Sequence, residues 1–132
     1  MGKITVVIEK DENGFGAFTK NIKSVIIGEG ATAAEAKQDF LNSFQEVLES
    51  YDSASDIPAE LLNPEFEYKY DVSAFFDLFE FLNVSKLAKR IGINPSLMRH
   101  YKLGDTYISD SQARKIESGI HEIARELLSV TL

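Results

Sequence analysis

Along the chain, the spacing of apolar positions changes near residue 72. Over the first 30 residues the apolar side chains come in short β-branched runs, KITVVIEK at Lys3–Lys10, FGAFT at Phe15–Thr19 and SVIIG at Ser24–Gly28. DENG separates the first two, and its Asn13-Gly14 pair offers the positive-φ positions of a tight turn, so the pattern predicts an antiparallel three-stranded meander. Thr32 with Glu35 is a capping-box start. Ala36, Phe40, Phe44, Val47, Leu48 and Tyr51 then share one face of a 3.6-residue period, predicting a helix to residue 51 that covers one side of the sheet. After the turn-rich SASDIPAELLNPE, with Pro58 and Pro64, FEYKYDV reads as a fourth strand. The front of the chain is therefore expected to be a β-β-β-α-β layer.

From Val72 onward the period is helical. SAFFDLFEFL sets Phe75, Phe76, Phe79 and Leu82 on one broad apolar stripe that Asn83 interrupts. Ser85 is expected to cap the next helix, with Leu87, Ala88 and Ile91 inward and Gly92 ending it in a left-handed conformation. Asn94 caps a third helix with Pro95 at its first position, where the missing N–H costs nothing. That helix carries Leu97, Met98 and Tyr101 and stops at Gly104. Ser109 with Gln112 opens a long last helix on which Ala113, Ile116, Ile120, Ile123, Leu127 and Val130 recur every three or four residues. Gly119 within it costs about 1 kcal/mol relative to alanine, which marks a close helix contact. The expected fold class is α+β, with an α+β domain at 1–71 and an all-α domain at 72–132.

Composition supports a folded chain: 132 residues, 44% hydrophobic, 27% charged, nine phenylalanines and three prolines. No cysteine is present, so disulfides, thiol nucleophiles and thiolate metal sites are excluded. No signal-peptide run, membrane span or myristoylation pattern is read, and a cytoplasmic location is expected. Charge is distributed unevenly. Residues 1–70 hold thirteen acids against six lysines, whereas Val84–Lys115 holds seven bases against two acids. An acidic front joined to a locally basic rear suggests that the two face partners of opposite charge.

Leu87-Ala88, three intervening residues, Gly92-Ile93 and then Leu97 is the spacing of a helix-turn-helix. Ala88 lets a second helix cross closely, Gly92 makes the sharp turn, and Ile93 plugs the wedge between the helices. The second helix would then enter a DNA major groove. Ser96 and Arg99, three residues apart, share a face, and Arg99 is the first candidate for a base-edge contact. Ser85, Lys86, Lys89, Lys102 and Thr106 are assigned to phosphates. His100 joins this surface, and Asn94 belongs to it first as a cap. Arg90 reads as a surface or interdomain ion-pair residue. The apolar tail IARELLSVTL exceeds what a small helical core needs, which predicts a homodimer or higher even oligomer.

Catalysis finds no assembled candidate. The glycine-rich phosphate loops, the His-Glu-x-x-His zinc motif and the nucleophile elbow do not occur in the sequence. His100 and His121 lie 21 residues apart without a thiolate to complete a metal cluster, and both read as surface residues. No enzyme activity, metal or cofactor is expected.

The order of these segments, TAAEAKQDF at the first helix, then VSKLAKRIGINPSLMRHYKLG and ISDSQARKIESGIHEIARELLSV, resembles HicB-family antitoxins with an Xre-like DNA-binding domain. The resemblance covers most of the chain and is most specific at GINPSLMRHY and ARKIESGIHEIARELL. It implies a front domain like a truncated ribonuclease H fold without catalytic carboxylates. It also implies two partners: HicA, a small basic ribonuclease toxin that the front domain blocks, and operator DNA, bound by the rear helix-turn-helix. Thr32, Glu35 and Ala36 match the family's helix opening, and Ser85, Leu87, Ala88, Gly92, Ile93, Asn94, Pro95, Leu97 and Tyr101 match its helix-turn-helix. One segment departs from the pattern: NIKSVII stands where members carry a proline-glycine-cysteine-like loop between the second and third strands. A stand-alone transcription regulator is the alternative that this departure favours.

Overall fold

A computed structural model describes residues 2–132. The chain forms two compact units, one ending at Leu78 and one spanning Phe79–Leu132. The first is a mixed α+β layer of strands β1 (Lys3–Asp11), β2 (Gly14–Thr19) and β3 (Ile27–Gly30), helix α1 (Ala33–Glu49), strand β4 (Glu65–Tyr70) and short helix α2 (Val72–Leu78). The second is all helical, with α3 (Val84–Ile91), α4 (Pro95–Leu103) and α5 (Asp110–Leu128).

The sheet order is β3-β2-β1-β4. The β1–β2 and β2–β3 pairs are antiparallel, and β4 returns parallel to β1 with Ile4 beside Phe66 and Ile8 beside Tyr70. Period-2 alternation places Ile4, Val6 and Ile8 of β1 on one face with Phe15 and Ala17 of β2. They form one core with Ala33, Ala36, Phe40 and Phe44 of α1. Phe66 meets Phe40 and Phe44 edge-on, with ring centroids 5.6 and 5.1 Å apart. Thr32 caps α1 by accepting from the Glu35 N–H at 3.1 Å, as the capping pattern requires.

Several sequence expectations shift. In the first hairpin only Gly14 has positive φ; Asn13 instead donates its N–H to Asp11 Oδ1 at 2.8 Å. The third strand begins at Ile27 rather than Ser24. The preceding residues are held by side chains, with Thr19 Oγ1 donating to Ser24 O and Glu60 accepting from Lys23 N and Ser24 Oγ. Gly28 lies within this strand instead of ending it. A Cβ there would sit 2.2 Å from the Phe40 backbone nitrogen, so the glycine is what lets α1 lie directly on β3. The first helix stops at Glu49, with Ser50 as its C-cap.

The expected helix through Leu82 ends at Leu78; a turn follows, in which Leu82 donates its N–H to Phe79 O, and Asn83 then takes the extended φ and ψ of an N-cap. Asp77 of α2 accepts from Ala33 N at 2.7 Å, and Ala74 joins the sheet core. Consequently α2 packs in the first unit, and the division falls after Leu78, not at the expected 71/72 position. Of the expected stripe, Phe76 is buried and Phe79 is 36% exposed.

Candidate nucleic-acid interface

In the second unit α3 and α4 are joined by three residues, Gly92-Ile93-Asn94. Gly92 has φ 91°, the left-handed conformation that glycine adopts without a Cβ penalty, and its N–H returns to Ala88 O. Ile93 is 5% exposed and donates its N–H to the same carbonyl at 2.9 Å. Leu87, Ala88, Met98, Tyr101 and Ile116 complete the buried set. Ala88 is fully buried. Of the amino acids picked out from spacing, Leu87, Ala88 and Ile93 are buried and Gly92 is left-handed, while Leu97 is half-buried.

Helix α5 is fastened across α3 by three contacts. Gly119 passes so close to Ile91 that a Cβ on it would lie 2.5 Å from Ile91 Cγ1. Lys115 Nζ donates to Gly92 O at 2.9 Å, placing a cation at the negative C-terminal end of α3. Arg90 pairs with Glu126 of α5, so its ion pair lies inside this unit. The sequence signalled Gly119 and an ion pair for Arg90 but neither Glu126 as its partner nor the Lys115–Gly92 contact, since each joins residues more than twenty positions apart.

The caps are made by asparagines. Asn94 accepts from Ser96 N and Leu97 N, so its Oδ1 is committed to starting α4. Asn83, not the expected Ser85, caps α3, accepting from Lys86 N at 2.9 Å. Ser85 sits inside the first turn, and its hydroxyl serves another group: it accepts from Arg99 Nη1 at 3.0 Å.

That contact gathers the candidate residues. Lys86 and Lys89 on α3, and Ser96, Arg99, His100 and Lys102 on α4, are all exposed, while Ser85 is half-buried beneath Arg99. Thr106, in the loop after α4, donates to Asp105 Oδ1 at 3.1 Å. The same carboxylate takes a hydrogen bond from His100 Nδ1 at 3.0 Å. The hydrogen bond from His100 holds the Asp105 carboxyl below its ordinary range. His100 and Thr106 are therefore tied to an acid that spacing arguments overlooked, and this pair folds the loop back onto the end of α4.

With the division after Leu78 the charge contrast is sharper. The front unit holds fifteen acids against six lysines, a balance of −9; Phe79–Leu132 holds eight bases against six acids, a balance of +2. Among the described residues no group of three or more histidines, aspartates or glutamates is placed to hold a metal ion, and no helix is long and apolar enough to cross a membrane. Compared with protein-family models, curated proteins and solved structures, the chain matches none.

Proposed function

We propose that this chain is a DNA-binding antitoxin, in which α3 and α4 form a helix-turn-helix that binds operator DNA and the acidic front unit neutralises a small basic mRNA-cleaving toxin. The observation that carries the reading is the Arg99–Ser85 contact, which sets a long cation on the outward side of α4, next to exposed Lys86 and Lys89 of α3. A guanidinium fixed through Nη1 by one hydroxyl keeps Nη2 and Nε for a fork-like contact with guanine, while neighbouring lysines meet phosphates. Supporting it are the three-residue turn, the asparagine caps and the resemblance to HicB antitoxins.

For the front unit, the β-β-β-α-β order with sheet order 3-2-1-4 is in keeping with a truncated ribonuclease H-like layer. Its −9 balance would steer a basic ribonuclease toward it and oppose nucleic acid. On this reading the protein acts by binding, without a catalytic step or cofactor, in the cytoplasm. The exposed end of the rear unit, where Leu127 and Leu128 of α5 and Val130 after it face solvent, supports pairing of two copies there.

The test is co-expression of this chain with the product of the adjoining small reading frame. A stable complex that silences RNA cleavage and shifts the promoter duplex supports both halves of the proposal. A second reading, a regulator without a toxin partner, draws on the NIKSVII segment, which is pinned by Asn21, Thr19 and Glu60 in place of the family's loop. Promoter binding together with a neighbouring product that neither binds nor cuts RNA would select it.

A further inference from the structure

The two edges of the sheet are treated differently by the fold. At the β3 edge the strand is only four residues long, and the outward N–H of Glu29 is taken by Asp39 of α1 at 2.8 Å. Short length and a side-chain acceptor are the usual ways of closing an edge to further pairing. At the other edge β4 runs for six residues, EFEYKY, with no proline inside it. Glu65 and Asp71 direct their N–H groups to Gly2 O and Ile8 O of the neighbouring strand. By alternation, the N–H and C=O groups of Phe66, Tyr68 and Tyr70 point the opposite way, off the sheet. Among the described residues none bonds to them. A regular strand with three outward amides and three outward carbonyls is a template for one more strand.

The side chains of β4 specify which strand. Phe66, Tyr68 and Tyr70 lie on the face covered by α1, where Lys37 sits 4.1 Å from the centre of the Tyr68 ring. Glu65, Glu67 and Lys69 lie on the other face and are exposed. If a second β4 is laid antiparallel with Tyr68 opposite Tyr68, the face of every residue is preserved, because the register keeps paired residue numbers of the same parity. Phe66 then meets Tyr70 of the other copy, and Glu67 meets Lys69 of the other copy, each twice by the two-fold symmetry. The neighbouring registers of the same parity are worse: one places Glu67 against Glu67, and opposite charges are favoured and like charges disfavoured in directly facing pairs.

We propose that β4 is a self-pairing edge, through which two copies of this chain join their four-stranded sheets into one eight-stranded sheet with Glu67 of each copy beside Lys69 of the other. This contact lies wholly in the front unit. It is independent of the antitoxin reading and of pairing through α5. Glu67 also stands 3.9 Å from Lys3 of its own chain, a loose surface pair that leaves the carboxylate accessible to a second cation.

The chain's lack of cysteine makes the register directly readable. The full-length chain is made as Glu67→Cys and, separately, as Lys69→Cys; mild oxidation of each alone and of their mixture is followed by non-reducing electrophoresis. Facing residues at a non-hydrogen-bonded antiparallel position lie within disulfide reach, so the mixture should give the cross-linked dimer and each variant alone should give little. A Val25→Cys chain, with its exposed thiol in the segment before β3, sets the background for random collision. A charge exchange supplies the second test by sedimentation. Lys69→Glu should weaken association about tenfold and Glu67→Lys/Lys69→Glu together should restore it, because two facing pairs turn from opposite to like charge and back. Cross-linking of the mixture no higher than the Val25→Cys background overturns the proposal, as does cross-linking of Glu67→Cys with itself in preference to Lys69→Cys. Association that both charge variants leave unchanged also overturns it.

Discussion

Arg99 Nη1 donates to Ser85 Oγ across 3.0 Å, joining the outward face of α4 to the first turn of α3. Ser85 is half-buried and Arg99 exposed, so the hydroxyl restrains one terminal nitrogen of the guanidinium and leaves its other N–H groups available. Under the proposed function Arg99→Ala should lose about 1–3 kcal/mol of discrimination at one base pair, and Ser85→Ala a smaller part of the same quantity. The double variant should be no worse than Arg99→Ala alone, since the serine acts through the arginine. Duplexes selected from a random pool, then titrated against single-base changes, measure all three. Fully additive losses would show that Ser85 touches DNA independently of Arg99.

The lysines should behave otherwise. Lys86→Gln and Lys89→Gln are expected to weaken every duplex alike and to reduce the slope of log affinity against log salt by about 0.9 for each phosphate no longer neutralised. Sequence preference should stay unchanged. Affinity titrations between low and moderate salt on matched and scrambled duplexes give both quantities, and a changed preference with an unchanged slope would reassign the lysine to base recognition.

Much of this architecture could be read from residue order, where the determinants are local. The capping pattern at Thr32, the Asn94-Pro95 start and the Gly92 stop each act over four residues or fewer, and each is used as read. The misreadings arise where a residue serves a distant partner. Gly28 looked like a strand end and is an opening for α1; Ser85 looked like a cap and supports Arg99. Of the candidate interface, the exposed cations were legible from helical period alone. His100–Asp105 and Lys115–Gly92 were not, because nothing in the local pattern states which loop atoms a long side chain will reach.

Two glycines separate backbone crowding from side-chain crowding. Alanine at Gly28 would drive its Cβ to 2.2 Å from the Phe40 backbone nitrogen, and α1 must move off β3 to admit it. Gly28→Ala should therefore destabilise the front unit by about 3 kcal/mol or more, at the upper end of overpacking costs. At Gly119 the obstacle is the Ile91 side chain, Cγ1 at 2.5 Å. The helix-propensity gain of about 1 kcal/mol is set against an overpacking cost of about 1–3 kcal/mol, so Gly119→Ala should be mildly destabilising. Removing the obstacle should reverse the sign, so that Gly119→Ala is stabilising in an Ile91→Ala background. Urea unfolding of the four chains in that cycle measures the coupling, and a coupling near zero would mean that α5 does not cross α3 at this point.

The His100–Asp105 pair makes the end of α4 sensitive to acid. His100 hydrogen-bonds the Asp105 carboxylate and holds its proton affinity below the ordinary value of 3.8. A carboxyl whose folded value is depressed adds stability that is fully present above its unfolded value and is lost as pH falls through the folded one. The window therefore lies below about pH 4. Because Asp105 is solvent-exposed, the effect should be confined to the loop and the last turn of α4, leaving global unfolding unchanged. Carbon-detected titration of the Asp105 carboxyl should give a midpoint that rises toward the ordinary value in His100→Gln, together with faster amide exchange at Gly104 and Asp105. Thr106 also donates to this carboxylate, so Thr106→Val should raise the midpoint by a smaller step. A midpoint that His100→Gln leaves in place would mean that the ring and the carboxylate are apart in solution, and the loop after α4 would then need another anchor.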